Sequence, residues 1–271
     1  MSRPEPLAGR TVVVTGAASG IGRALARRLS AAGCPVAVAD VDEPGLKHDL
    51  PGPVLRRVLD VRDAAAVTAF AGEVRDWAPA PLGAVFNNAG VAIGSSVLGA
   101  VPADDDWLHE INFRGVVNGV RAFLPLLVAQ DAGTIVNTSS VYGLIGVPYQ
   151  SAYCAAKFAV RGFTEALRQE LRGTGVRAAT VHPGGVKTNI ARNARFRADP
   201  EGRGRTHEQI AAEFDAIART TPERAAEIIH KGVDRGKARI LVGPDAYLVD
   251  ALARLAPTRY YDIVAGLRRR R

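Results

Sequence analysis

Tyr153 and Lys157 stand four residues apart in Tyr153-Cys-Ala-Ala-Lys157, and on a helix that spacing puts both side chains on one face. A free phenol titrates at about 10 and is a poor base at neutral pH. An ammonium beside it favours the phenolate and brings the group toward the range useful for general acid and base work. Lys157 is therefore expected to tune Tyr153 for proton transfer.

A second chemical signal lies near the N-terminus. An apolar run ends in Thr15-Gly16-Ala17-Ala18-Ser19-Gly20-Ile21-Gly22 and passes at once into helical Arg23-Ala24-Leu25-Ala26. Glycines allow a tight turn and close backbone approach, and a helix N-terminus presents about half a positive charge to a pyrophosphate. Strand, loop and helix in this succession mark a dinucleotide site. Asp40 comes eighteen residues after Gly22, near the spacing at which a carboxylate accepts hydrogen bonds from the adenosine ribose hydroxyls. It would repel the 2′-phosphate of NADP, and no basic residue stands at Ala18, Ser19 or Val41 to counter it. NAD is expected in preference to NADP.

These groups need a frame. Short apolar, β-branched runs at 11–14, 35–40, 54–59, 83–87, 134–138, 176–181 and 239–242 alternate with helical stretches at 21–32, 64–77, 105–129, 151–172 and 222–235. That alternation predicts an α/β fold with one doubly wound parallel sheet of about seven strands and helices on both faces. No repeat or linker interrupts it, so the reading is a single domain over 1–271. The segment from Ala191 to Thr220 carries five arginines before Ala211 and few strand formers. It reads as an excursion at a strand's carboxyl end, where ligands bind in such sheets.

Composition bounds the rest. With 47% hydrophobic and 23% charged residues the 271-residue chain can build a sizeable core. The net charge of +8 would suit an anionic partner, yet the arginines are scattered through helical stretches, and the one dense run is Arg268 to Arg271. Nucleic acid is not expected as a partner, and membrane association is not predicted. Cys34 and Cys154 belong to no CxxC motif, and His48, His109, His182, His207 and His230 form no metal-spaced pair, so no metal is assigned. The polar N-terminus, with no apolar stretch approaching roughly 18 residues, leads to the expectation of a cytoplasmic protein.

With these residues in hand the chain resembles the short-chain dehydrogenase/reductase family over roughly residues 8 to 245. Gly16, Gly20 and Gly22 have that family's spacing, with Ser19 and Ile21 between them. Asp60-Val61 resembles the pair that contacts the adenine ring, and Asn87-Asn88-Ala89-Gly90 the motif that closes the fourth strand and lines the cofactor. Asn112, in Glu110-Ile-Asn-Phe, falls where the family has a helix residue whose displaced backbone carbonyl holds a relay water. Pro183-Gly184-Gly185-Val186-Lys187-Thr188 resembles the segment that holds the nicotinamide carboxamide, Val186 through backbone and Thr188 through its hydroxyl.

The resemblance implies a Rossmann-type fold and an NAD-dependent oxidoreductase that interconverts a secondary alcohol and a ketone by hydride transfer. Its catalytic set here is Asn112, Ser140, Tyr153 and Lys157. Ser140 would hydrogen-bond the substrate oxygen beside Tyr153; Ser139 is the rival position, and family spacing favours Ser140. Lys157 gains a second task at the nicotinamide ribose, and the positive nicotinamide joins its ammonium in favouring the Tyr153 phenolate. Two hydroxyls converging on one oxygen stabilise the alkoxide that develops in the transition state. A protein that has lost catalysis and kept a nucleotide-sensing or scaffold role is the alternative, and the intact four residues speak against it.

The pocket is expected from 91–97, 141–150 and 188–217, with a mobile lid at about 189–221. Val141, Leu144, Ile145, Val147, Tyr149 and Phe196 suggest an apolar alcohol or ketone, while the lid arginines either accept a carboxylate or face water. The resemblance also implies a homodimer or homotetramer, for which the apolar stretches 111–128 and 155–171 are available. The extension at about 245–271 is left to cap the pocket, meet a partner subunit or lie on a membrane.

Overall fold

Thr11–Thr15 (β1) is buried along its whole length, as a strand covered on both faces must be. The other strands are Val36–Asp40 (β2), Val54–Val58 (β3), Leu82–Asn87 (β4), Gly133–Thr138 (β5), Val176–Pro183 (β6) and Arg239–Val242 (β7). They form one seven-stranded sheet in the order β3-β2-β1-β4-β5-β6-β7, and every pairing is parallel. The structure, a computed structural model, describes residues 6–263.

The helices are Gly20–Ala31 (α1), Glu43–Leu46 (α2), Ala64–Trp77 (α3), Pro102–His109 (α4), Gly115–Ala129 (α5), Ser151–Glu170 (α6), His207–Ile217 (α7), Pro222–Asp234 (α8) and Pro244–Leu255 (α9). Side chains alternate across the sheet, and the core divides accordingly. Val12, Val14, Val36, Val38, Ala84 and Phe86 face one layer with Leu25 and Leu29 of α1 and Ile229 and Val233 of α8. Val13, Ala37, Val85 and Ile135 face the other, with α3, α5 and α6, where Phe70 and Phe123 meet edge to face at 6.0 Å.

Three sequence expectations change. The helix expected over 105–129 begins at Pro102 and is interrupted by a π-helical turn at Glu110–Arg114 between α4 and α5. Taken together Pro102–Ala129 is long and apolar enough to cross a membrane by length and composition, with 44% of its most apolar window buried inside the fold. The excursion before β7 contains helix α7, started by a capping box in which the Thr206 side chain accepts from the Gln209 N–H and the Gln209 side chain accepts from the Thr206 N–H. The extension forms α9. Arg268 to Arg271 lies outside the described residues.

Candidate active site

In this sheet the chain changes direction between β1 and β4, and the crevice beyond their carboxyl ends is where an open α/β sheet takes a ligand. Gly16 closes β1 with φ +68°, and a Cβ there would lie 2.7 Å from the Ala89 Cα. A Cβ on Gly22 would lie 2.6 Å from the Asn88 amide nitrogen. The Thr15 hydroxyl accepts from the N–H groups of Asn88 and Ala89 at 3.1 and 3.2 Å, and the Asn88 side chain donates to the Thr15 carbonyl at 3.1 Å. The glycine loop and the 88–90 turn are thus stitched into one floor.

Above that floor, Ser19 is the N-cap of α1, and its side chain makes no capping bond. The first-turn N–H groups at Gly20, Ile21 and Gly22 therefore point outward as orphan donors, with no acidic side chain in the turn to meet them. Thr188 stands across the groove, 3.2 Å from where a Gly20 Cβ would be. This cradle fits a dinucleotide pyrophosphate. Asp40 ends β2 and accepts from the Ala18 N–H at 2.9 Å and the Asp42 N–H at 3.1 Å. Arg23 donates to the Ala18 carbonyl at 2.7 Å. That cation was not visible in a reading of Ala18, Ser19 and Val41. Both Asp60 oxygens accept from the Arg62 guanidinium, which holds the carboxyl below its usual range; the adjacent Val61 is buried against Gly115.

Ser140, Tyr153 and Lys157 converge at the same edge. Ser140 follows β5 and its hydroxyl accepts from the Tyr142 N–H at 3.1 Å. Ser139 is committed elsewhere: its hydroxyl donates to the Lys157 carbonyl at 2.7 Å. Tyr153 and Lys157 lie in the first two turns of α6, with Lys157 Nζ 5.6 Å from the centre of the Tyr153 ring and donating to the Thr138 carbonyl at 3.1 Å. Burial raises the Tyr153 phenol above its usual value, and a hydrogen bond with Ser140 works against that rise. Burial also pulls Lys157 down to about 8. Desolvation is thus the largest influence on the Tyr153 phenol in this structure.

Asn112 is wholly buried inside the π-helical turn. Its side-chain amide bonds both backbone groups of Val91, and its Oδ1 and Lys157 Nζ both approach Gly90, at 3.0 and 3.4 Å from the place of a Cβ. In the 183–188 segment, Pro183 and Val186 are buried, and the Gly185 N–H donates to Asp245 at 2.6 Å. The Asp245 carboxyl also fills the space beside Gly184. Asp245 lies on α9 and carried no signal in the sequence.

The lid segment carries a set of ion pairs. Arg195 and Arg197 both bond the buried carboxylate of Asp104, Arg195 stacks on Trp107 at 3.7 Å, and the Arg195 N–H donates to the Ala92 carbonyl at 3.2 Å. Arg205 pairs with Asp199, Glu201 and Glu213, and Arg192 with Asp215. The lid arginines from Arg192 to Arg205 thus have acidic partners, while Arg192, Arg197 and Arg203 remain largely exposed. Val141, Leu144 and Ile145 are buried, Tyr149 holds a strained φ of +63°, and Phe196 stacks on His207 at 5.2 Å. Tyr260 exchanges two hydrogen bonds of 3.0 Å with the Gly146 backbone, tying the C-terminal extension to the substrate loop. Among the described residues no three His, Cys, Asp or Glu side chains group to hold a metal.

The comparisons agree with this geometry. The sequence pattern of the short chain dehydrogenases matches residues 10–198. "Putative oxidoreductase SadH" of Mycobacterium tuberculosis is 46% identical over 270 residues, covering 95% of each chain. Levodione reductase of Leifsonia aquatica is 34% identical over 210 residues, 74% of this chain and 78% of that one. A crystal structure of a short chain dehydrogenase/reductase from Burkholderia phymatum in complex with NAD superposes with a TM-score of 0.81 at 29% identity, covering 98% of this chain and 97% of that one.

Proposed function

The chain belongs to the short-chain dehydrogenase/reductase family and is an oxidoreductase that uses a nicotinamide cofactor, and from that premise we propose that it interconverts an apolar secondary alcohol and its ketone with NAD. The observation that carries the reading is the convergence of Ser140, Tyr153 and Lys157 beside the Gly16 to Gly22 cradle at one sheet edge. When bound, the nicotinamide supplies or takes up the hydride, and its oxidised form adds a positive charge beside the phenol.

The protein's own part is to hold the substrate oxygen and move its proton. Ser140 and Tyr153 direct two hydroxyls at that oxygen. In reduction, Tyr153 donates its Oη proton as the oxygen becomes an alkoxide; in oxidation, the phenolate takes that proton back. Burial keeps the phenol protonated at rest, which suits the acid role, and the Lys157 ammonium favours the phenolate needed for the reverse. Lys157 also reaches the ribose, and Asn112 holds the 91 loop while its backbone lies in the π-helical turn.

Asp40 supports NAD, since a second anion beside this carboxylate would be repelled. Ser19, Gly20, Ile21 and Gly22 hold the pyrophosphate, Asp60 and Val61 the adenine, Asn88, Ala89 and Gly90 the groove floor, and Pro183, Gly184, Val186 and Thr188 the carboxamide. A neutral, apolar substrate fits the walls, because the lid arginines are spent on carboxylates, and the levodione reductase relative is named for a dione. A homodimer or homotetramer is the proposed assembly, with exposed Phe158 on α6 and Val128 on α5 available to it. The cytoplasm suits the buried free thiols of Cys34 and Cys154. Turnover of a secondary-alcohol panel with NAD+ and NADP+ tests the reading; it fails if no alcohol or ketone is converted with either.

A further inference from the structure

His182 is wholly buried near the end of β6, opposite Leu241 of β7. Its Nδ1 lies 3.0 Å from the carbonyl oxygen of Ser140. A carbonyl only accepts, so Nδ1 carries the proton and Nε2 is left as a bare acceptor. That Nε2 is buried and has no hydrogen-bond partner among the described residues. An unpaired buried acceptor is a desolvation penalty that a leucine of similar size would avoid. Burial, opposed first by the bond to the Ser140 carbonyl and then by Asp250, and aided by Arg239 and Arg161, pulls the imidazole down to about 4, so the neutral form persists at working pH.

The retained donor has one visible use. The Ser140 carbonyl also accepts from the Gly143 N–H at 3.0 Å, and Ser139 is pinned on both sides, its N–H donating to the Val181 carbonyl at 2.8 Å and its hydroxyl to Lys157. His182 is the side chain that bonds Ser140's own peptide, and the next residue, Pro183, opens the segment assigned to the carboxamide. One residue thus joins the serine that meets the substrate oxygen to the loop beside the cofactor.

We infer that His182 is a positioning residue for the reaction, fixing the Ser140 peptide, and with it the direction of the Ser140 hydroxyl, through a single Nδ1–H donor. The inference rests on the alcohol–ketone reading above. A hydroxyl displaced by a fraction of an ångström loses its aim at the developing oxyanion, and misplacements of about 1 Å cost up to roughly a hundredfold in rate.

The test uses side-chain geometry. His182→Asn places an amide N–H where Nδ1 stands, His182→Leu places a methyl there, and His182→Gln carries its donor one atom too far out. With the best substrate of the panel, His182→Leu and His182→Gln should lower kcat roughly tenfold while NADH affinity stays within about twofold and thermal stability is unchanged or raised; His182→Asn should stay within about threefold of wild type. In a Ser140→Ala background, His182→Leu should cost almost nothing further, because the group it aims is gone. Equal losses in the Asn and Leu variants, a full additional loss in the Ser140→Ala background, or an unimpaired Leu variant would each overturn the inference. Tyr153→Phe serves as the control: if it keeps full turnover the alcohol–ketone mechanism is wrong, whereas if it is dead while His182→Leu is unimpaired, only the role of His182 falls.

Discussion

The Asn112 side-chain amide clasps the backbone of Val91 from both sides, Nδ2 donating to its carbonyl and Oδ1 accepting from its N–H, each at 2.8 Å. The clasp fixes the chain as it leaves the 88–90 turn, where Lys157 Nζ also approaches Gly90.

Asn112→Leu removes both bonds and leaves two backbone groups unpaired. A loss of about 2–3 kcal/mol in stability is expected from two net hydrogen bonds and their desolvation, read as a lower midpoint in urea unfolding, together with reduced turnover. Unchanged stability would show that water replaces the clasp.

Tyr153→Phe should reduce turnover by a factor of 10² or more, on the order expected for a lost general acid, while fluorescence titration shows NADH binding retained. Because burial raises the phenol, alcohol oxidation by the wild type should climb with pH from neutrality toward the ordinary tyrosine value of 10.0, and ketone reduction should not. An oxidation profile flat across that span would remove Tyr153 as the titrating base.

Lys157 is a base whose folded value of about 8 lies below the ordinary 10.5. Between those values the unfolded chain binds the proton more tightly than the native one, so this residue makes stability rise with pH there, by up to about 3 kcal/mol in all. Burial of Cys34, which raises its thiol to about 11, acts in the opposite sense above 9.0. The difference between wild type and Lys157→Met isolates the lysine: denaturation at stepped pH should show the variant losing the upward contribution. Parallel curves would contradict it.

Asp40→Asn keeps the acceptor toward the Ala18 N–H and removes the charge. The ratio of kcat/KM for NAD+ over NADP+ should fall at least roughly tenfold, since like-charge juxtaposition costs several kcal/mol. Arg23, which donates to the carbonyl of the same residue, Ala18, makes Arg23→Gln the matching variant, expected to move the ratio the opposite way. A ratio indifferent to Asp40→Asn would take the discrimination away from this carboxylate.

Asp104→Asn deprives Arg195 and Arg197 of their shared buried carboxylate. The lid strand should then come away from α4. Trypsin should cleave between residues 192 and 205 several-fold faster, and KM for the alcohol should rise with NADH affinity unaltered. Equal cleavage rates would mean that the Arg195 stack on Trp107 suffices.

The amino-acid order determined whatever depends on neighbours in the chain. The four-residue step from Tyr153 to Lys157, the glycine loop running into α1 and the apolar runs that became seven parallel strands are set by backbone geometry, which is local and periodic. Folding alone decided the partners that span the chain: Ser140 with His182 across 42 residues, Gly185 with Asp245 across 60 and Arg195 with Asp104 across 91. It also separated Ser139 from Ser140 and paired the lid's arginines with acids. Each of these depends on which faces the layers bury and how much water they exclude, and burial belongs to the stacked structure, where a linear spacing leaves no mark of it.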